Sequence, residues 1–158
     1  MTPDNSKHNL DQLNEDEAIA RINSLSKDDW EELLSLIPEI ENATEFGVHH
    51  PMREVEKDVY TIPYSTNGPL INRFIEIIHE MPIIIPFDWS SWDEGRKMAN
   101  DDHFDFNSID IPTKCKLITA LARNDRFCDG VLVEAFETGL MLQLLKSIKQ
   151  QLNEPHPA

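Results

Sequence analysis

The sequence predicts a mainly α fold, a compact single-domain helical bundle crossed by an irregular, proline-containing segment. Three observations lead there. Apolar residues recur at helical spacing through most of the chain, and Gly is scarce, at 5 of 158 residues. The 10 prolines fall mostly between apolar stretches, where they punctuate helices instead of interrupting them. With 40% apolar residues, this length suits one domain with a modest core. The reading divides the chain into a disordered tail at 1–12, a helical domain at 13–152 and a second tail at 153–158. Acidic helices take 13–45 of that domain, the irregular segment 46–66 and the densest apolar pattern 67–152.

Asn14 starts the first helix, with Glu17 at the capping-box position and Ile19 and Ile22 facing inward. Ser26 starts the next, with Asp29 completing its box and Leu25 and Trp30 spaced as a hydrophobic staple. Trp30, Leu33, Leu34 and Ile37 form the buried stripe, and Pro38 disfavours helix beyond Ile37. Residues 39–66 mix Gly47, Pro51 and Pro63 with a weak alternation around Val55, Lys57 and Val59. They predict an irregular crossing with at most one short hairpin.

Asn67-Gly68-Pro69 opens a helix whose Leu70, Ile71, Phe74, Ile75, Ile77, Ile78 and Met81 cover more than half its circumference. Such a helix belongs at the centre. Pro82 ends it, and Ile83-Ile84-Ile85-Pro86-Phe87 continues extended through or beside the core. Ser90 or Ser91 caps a short helix with Trp92, Glu94, Arg96 and Met98, and a polar loop with two phenylalanines spans 100–108. Asp110 caps the following helix, with Pro112 in its first turn and Cys115, Ile118, Leu121 and Ala122 as its stripe. After Asp129-Gly130 a last helical stretch runs from Val131 to about Leu152, kinked or broken near Gly139.

The charge balance limits the partners. The chain has 14 basic and 29 acidic residues, a net charge of -15. Direct nucleic-acid binding is not expected, because a phosphate backbone demands a basic face. The first 60 residues carry 15 acidic and 5 basic side chains, a surface that favours basic partners. No apolar run approaches the roughly 20 residues of a membrane span. The N-terminal MTPDNSKHNL lacks a signal-peptide pattern, and two cysteines, Cys115 and Cys128, fit a reducing compartment. The expected location is the cytoplasm.

The C-terminal half carries a recognisable order of residues. Phe87-Asp88-Trp89 and Trp92-Asp93-Glu94-Gly95-Arg96 precede Thr119-Ala120-Leu121-Ala122-Arg123-Asn124-Asp125-Arg126-Phe127-Cys128-Asp129-Gly130, followed by Ala135-Phe136-Glu137-Thr138-Gly139. Over residues 60–152 this resembles a bacterial family known as domain of unknown function 6508, to which Pro63-Tyr64 and the 70–81 helix are also similar. The resemblance implies a helical domain and brings no established activity or catalytic residue.

The main candidate site is the helix end that carries Asp125, Phe127 and two guanidiniums, Arg123 and Arg126. Three residues apart, they reach one side of a helix and could clamp an anion with paired hydrogen bonds. The structural alternative has them bonding the carbonyls that end their own helix and pairing with Glu134, Glu137 or Glu94. Glu94 and Glu137 could act as an acid–base pair, or simply accept from Arg96, Arg123 or Arg126. Trp30, Trp89 and Trp92 can anchor a partner or close a core. The loop of Asp101, Asp102, His103, Asp105 and Asn107 fails as an EF-hand, with Phe106 at its sixth position and Pro112 at its twelfth. His49, His50, His79, His103, Cys115 and Cys128 show no metal-ligand spacing, and an activated Cys128 thiolate lacks a placed base. No cofactor or metal is expected, and no catalytic residue is assigned.

The expected function is a cytosolic protein-interaction or regulatory module, binding a basic protein surface or itself through a groove beside Trp92 and Arg126. One alternative is an anion binder or enzyme that uses Arg123 and Arg126 with Glu137 nearby. Another is an acidic mimic of nucleic acid.

Overall fold

The computed structural model describes residues 14–81, 83–128 and 130–154. The tail expected at 1–12, Pro82, Asp129 and residues 155–158 lie outside the described residues. Helix α1 covers 14–23 of them, followed by α2 (Lys27–Leu34) and α3 (Leu36–Asn42). Strands β1 (Gly47–His50), β2 (Glu54–Glu56), β3 (Val59–Tyr60) and β4 (Tyr64–Asn67) come next. Then follow α4 (Pro69–Glu80), α5 (Asp93–Asn100), α6 (Ile111–Asp125), α7 (Val131–Glu137) and α8 (Leu140–Asn153). The fold is mainly α, and none of the described helices is long and apolar enough to cross a membrane.

Local signals set most boundaries. The Ser26 box closes: the Ser26 N–H donates to Asp29 at 2.8 Å and the Asp29 N–H donates to Ser26 Oγ at 3.3 Å. Asn14 is already helical, so the start of α1 lies outside the described residues. Gly68 precedes Pro69 at the start of α4, and the Asp110 side chain accepts the Thr113 N–H at 2.9 Å to cap α6. The break near Gly139 is real: Gly130 and Gly139 take φ +90° and +85°, a left-handed backbone that favours glycine, and separate α6, α7 and α8.

Three boundaries differ from expectation. Pro38 does not end the helical run; Ser35 interrupts it, and Pro38 sits in the first turn of α3. There its missing N–H would have had no intrahelical acceptor. Neither Ser90 nor Ser91 caps α5. Trp89–Ser91 form a 3₁₀ turn, Trp92 precedes the helix without a side-chain cap, and the Ser90 hydroxyl donates to Asp88 at 2.9 Å. Bonds from Ser90 and Ser91 hold the Asp88 carboxyl below its ordinary pKa. Finally, residues 47–67 form a nested two-stranded arm and not an irregular crossing. Strand β1 pairs antiparallel with β4 from Gly47↔Asn67 to His50↔Tyr64, and β2 pairs with β3 at the tip. Arg53 and Thr61 bridge the two ladders through the Thr61 N–H to the Arg53 carbonyl, 2.8 Å.

One core joins the helices. Trp30, Leu33 and Leu36 meet Ile71, Phe74 and Ile78 of α4 and Leu144, Leu145 and Ile148 of α8. Phe136 packs edge-on to Phe74, with centroids 5.2 Å apart, and lies 5.5 Å from Phe46. Ile83 and Ile85 pass through this core in extended form, where the Ile85 N–H donates to the buried Thr119 hydroxyl at 3.1 Å. That bond satisfies a backbone donor that no ladder reaches.

Lys114 is the anomaly. It is fully buried on α6, beside the apolar stripe, and its Nζ has no hydrogen-bond partner among the described residues. Burial lowers its pKa from 10.5 to about 8, against the opposing pull of Glu154, Asp110 and Asp105. Between pH 8 and 10.5 the folded chain therefore holds fewer protons at this site than the unfolded chain, and stability rises with pH. Below pH 8 the cost of burying the charge is complete. Lys114→Met should melt higher at pH 7, by about 2–4 °C per kcal/mol relieved. Thermal melts of both proteins should show this advantage shrinking from pH 8 towards 10.5, and an advantage independent of pH would contradict it.

Candidate functional site

A cleft of about 820 Å³ opens between α5, α6 and α7. That lies within the range of about 300–1,000 Å³ usual for ligand sites. Its floor is apolar, from Leu117, Ala120 and Leu121 of α6 and Val131 and Ala135 of α7. Trp89 and Trp92 wall one side, and Asp101, Asp102, Glu134, Asn124 and Gln143 supply polar groups.

Trp92 owes its place to Gly95. A Cβ at Gly95 would lie 2.2 Å from the indole, so the ring rests against bare helix backbone. Phe87 buttresses it edge-on at 5.4 Å, and Lys116 Nζ lies 5.1 Å from the Phe87 centroid. Trp89 stacks on exposed Phe127, with centroids 6.1 Å apart. The cation lining the cleft, Arg96, is engaged by its own neighbourhood. Its Nη2 donates to the Ser90 carbonyl at 2.6 Å, and its Nη1 lies 3.6 Å from Asp93. The remaining charges on the lining are the three carboxylates.

Residues 25–154 match the family of unknown function DUF6508. The chain belongs to that family. The match starts well before residue 60, so α2, α3 and the arm are parts of the DUF6508 pattern along with the C-terminal helices. No curated protein and no solved structure matches the chain.

The DUF6508 chain brings together only part of the candidate set. Trp92 and Arg96 line the cleft. Glu94 and Glu137 are exposed and outside its lining, as is Arg126, while Arg123 is half-buried and also outside it. The pairing expected for the two arginines is absent: among the described residues neither forms an ion pair or a side-chain hydrogen bond with Glu94, Glu134 or Glu137. Nor do they bond the carbonyls of their helix. Backbone donors take those first, with the Arg126 N–H on the Arg123 carbonyl at 3.2 Å. The Phe127 and Cys128 N–H groups lie on the Asn124 carbonyl at 3.0 and 2.9 Å.

Asp125, between the two arginines, performs the structural work instead. One carboxylate oxygen accepts the Leu132 N–H at 3.1 Å and the other accepts Asn67 Nδ2 at 3.2 Å. Gly130 offers α7 no side-chain cap, so a free N–H in the first turn of that helix finds its acceptor one helix back. Asp125 belongs to the helix-end cluster that the sequence marks, and the signal for its bonding role is an acidic residue shortly before a glycine restart. Glu134, read as a partner for the arginines, lies on the cleft.

The other titratable groups are dispersed. Asp101 and Asp105 accept the N–H groups of His103 and Asn107, each at 3.0 Å, in local turns. Among the described residues no three His, Cys, Asp or Glu side chains group closely enough to hold a metal. Burial raises the Cys115 thiol to about 12, so it stays protonated at neutral pH; Cys128 is free and exposed.

Removing the Asp125 carboxylate leaves donors without acceptors, so Asp125→Ala should lose about 1–3 kcal/mol in urea unfolding. Arg126→Ala should stay within about 0.5 kcal/mol of the parent, because its side chain holds nothing in place. Equal losses in the two variants would contradict this assignment. Gly95→Ala should displace the indole and shift the tryptophan emission of the folded chain, while an unchanged spectrum would count against the contact.

Proposed function

We propose that this DUF6508 chain is a cytosolic protein-interaction module whose cleft takes a partner segment that is both basic and apolar. The observation that carries this reading is the pairing of an apolar, tryptophan-walled floor with Asp101, Asp102 and Glu134, while Arg96 is already engaged by Ser90 and Asp93. Such a surface buries aliphatic or aromatic side chains and leaves carboxylates for lysine or arginine; an indole face adds attraction for a cation. The net charge of -15 steers a basic partner to it and slows approach of an acidic one. Free Cys115 and Cys128 agree with a reducing compartment.

The anion-clamp alternative finds less support. Arg123 and Arg126 stand outside the cleft, and the cleft is acidic. A direct comparison separates the two readings. Titration with a synthetic amphipathic peptide of lysine and leucine should change the tryptophan fluorescence, weaken as salt rises, and lose about tenfold in affinity with Glu134→Lys. An acidic peptide of matched hydrophobicity should not bind. If phosphate raises the melting temperature, Arg123→Ala abolishes that rise and the basic peptide has no effect, the clamp is right and the module reading fails.

A further inference from the structure

We infer that the β arm is a self-association surface, through which two copies of the chain meet arm to arm about a twofold axis. Large apolar side chains exposed on this protein are concentrated there. Val48, Met52, Val55, Val59, Tyr60, Ile62 and Tyr64 are all at least 46% exposed, and Ile62 reaches 83%; elsewhere among the described residues only Phe127 joins them. Every residue from Pro51 to Tyr60 is exposed, so the helical body does not cover the outer arm. Apolar surface gathered in one place marks a contact site, unlike single residues scattered over a surface.

Three features point to a second copy as the occupant. The first is charge. The 21 residues from Gly47 to Asn67 hold two cations and three anions, against 12 and 26 in the rest of the chain. Two acidic bodies repel wherever they touch except at such a near-neutral patch, while a basic foreign partner is drawn to the acidic surfaces instead. The second is edge chemistry. Strands β1 and β4 form a two-stranded ladder, so each has an outer edge without a strand partner, and Gly-Val-His-His and Tyr-Ser-Thr-Asn contain no Lys, Arg, Asp, Glu or Pro. Natural edges are usually guarded by such residues. Here the guards stand at the tip, in Glu54, Glu56 and Lys57, and between the two ladders, in Pro51 and Pro63. Pairing an uncharged strand antiparallel to its own copy puts no like charges opposite each other, and a twofold contact requires that self-complementarity. The third is size. The 21 residues of the arm come near the roughly 20–30 that each side gives to a standard interface only when both ladders take part in the contact.

The face on offer is ordered. His50 stacks on Tyr64 with centroids 4.4 Å apart and interplanar angle 12°, and its Nε2 lies 3.1 Å from Thr66 Oγ1. Alternation puts Val48 on that same face. A preorganised face loses less side-chain freedom on association.

Light scattering of the full chain across the micromolar range tests this. The expected mass is twice 18.2 kDa. The double variant Ile62→Asp/Tyr64→Asp should halve it with the helical circular dichroism intact, whereas Phe127→Asp and Glu134→Lys should keep the doubled mass. A wild type of 18.2 kDa throughout, a doubled mass in the arm variant, or a halved mass in Phe127→Asp would overturn the inference. If the arm variant fails to fold, hydrogen exchange of the unaltered chain decides. Protection of amides in 47–67 that grows with concentration supports the dimer, and protection independent of concentration overturns it. The Glu134→Lys arm keeps this result separate from the cleft reading.

Discussion

The Asp125 carboxylate is the junction on which both surfaces of this protein depend. It joins the last turn of α6 to the first turn of α7 through the Leu132 N–H, and joins both to the base of the arm through Asn67. The first bond orients α7 so that Val131, Glu134 and Ala135 complete the cleft. The second anchors β4 just before Gly68 turns the chain into α4. A short helix of seven residues has little stability of its own, so an external acceptor for its free N–H groups, together with burial of Leu132 and Phe136, holds it in register.

Charge and apolar surface are distributed with a consistent logic. Acidic side chains cover the helical body; Lys116–Glu15 is a mostly buried ion pair, while Arg73–Glu39 at 3.1 Å and Lys146–Glu41 at 3.6 Å are about half exposed. Pairs of that kind add little stability. Cohesion comes instead from the single core of Trp30, Phe74, Phe136 and the aliphatic residues around them. What the body leaves uncovered is an acidic, aromatic cleft on one side and a near-neutral apolar arm on another. These two surfaces suit different partners, one basic and one self-complementary.

The legible parts of the sequence were those where neighbours in sequence decide the outcome. The Ser26–Asp29 box, Gly68-Pro69, Asp110 and the glycines at 130 and 139 act within four residues of their own positions, and all mark helix ends in the structure. Pro38 is ambiguous in sequence because the same residue can end one helix or occupy the first turn of another, and the interruption at Ser35 leaves no strong local mark. The arm is hard to read in sequence for a related reason. Its strands are two to four residues long and interrupted by Pro51 and Pro63, too short for alternation to show. In the candidate site, a groove is expected beside Trp92 and Arg126; Trp92 lines the cleft and Arg126 stands outside it. Arg123 and Arg126 are conspicuous in an acidic chain, yet helix-end geometry gives their neighbour Asp125 the bonding role.

The sequence by itself determined the helical class, the helix ends set by local caps, the acidic character and the membership in DUF6508 visible in its C-terminal strings, because these are properties of residues within a few positions of one another. Tertiary structure alone decided that Lys114 would be buried, that Asp125 would reach Asn67 across 58 positions, and that α5 would stand off α6 to leave a cleft. Those outcomes depend on which surfaces remain after the core has packed. Competition between distant groups for the same space and the same donors settles that, and no local pattern encodes it.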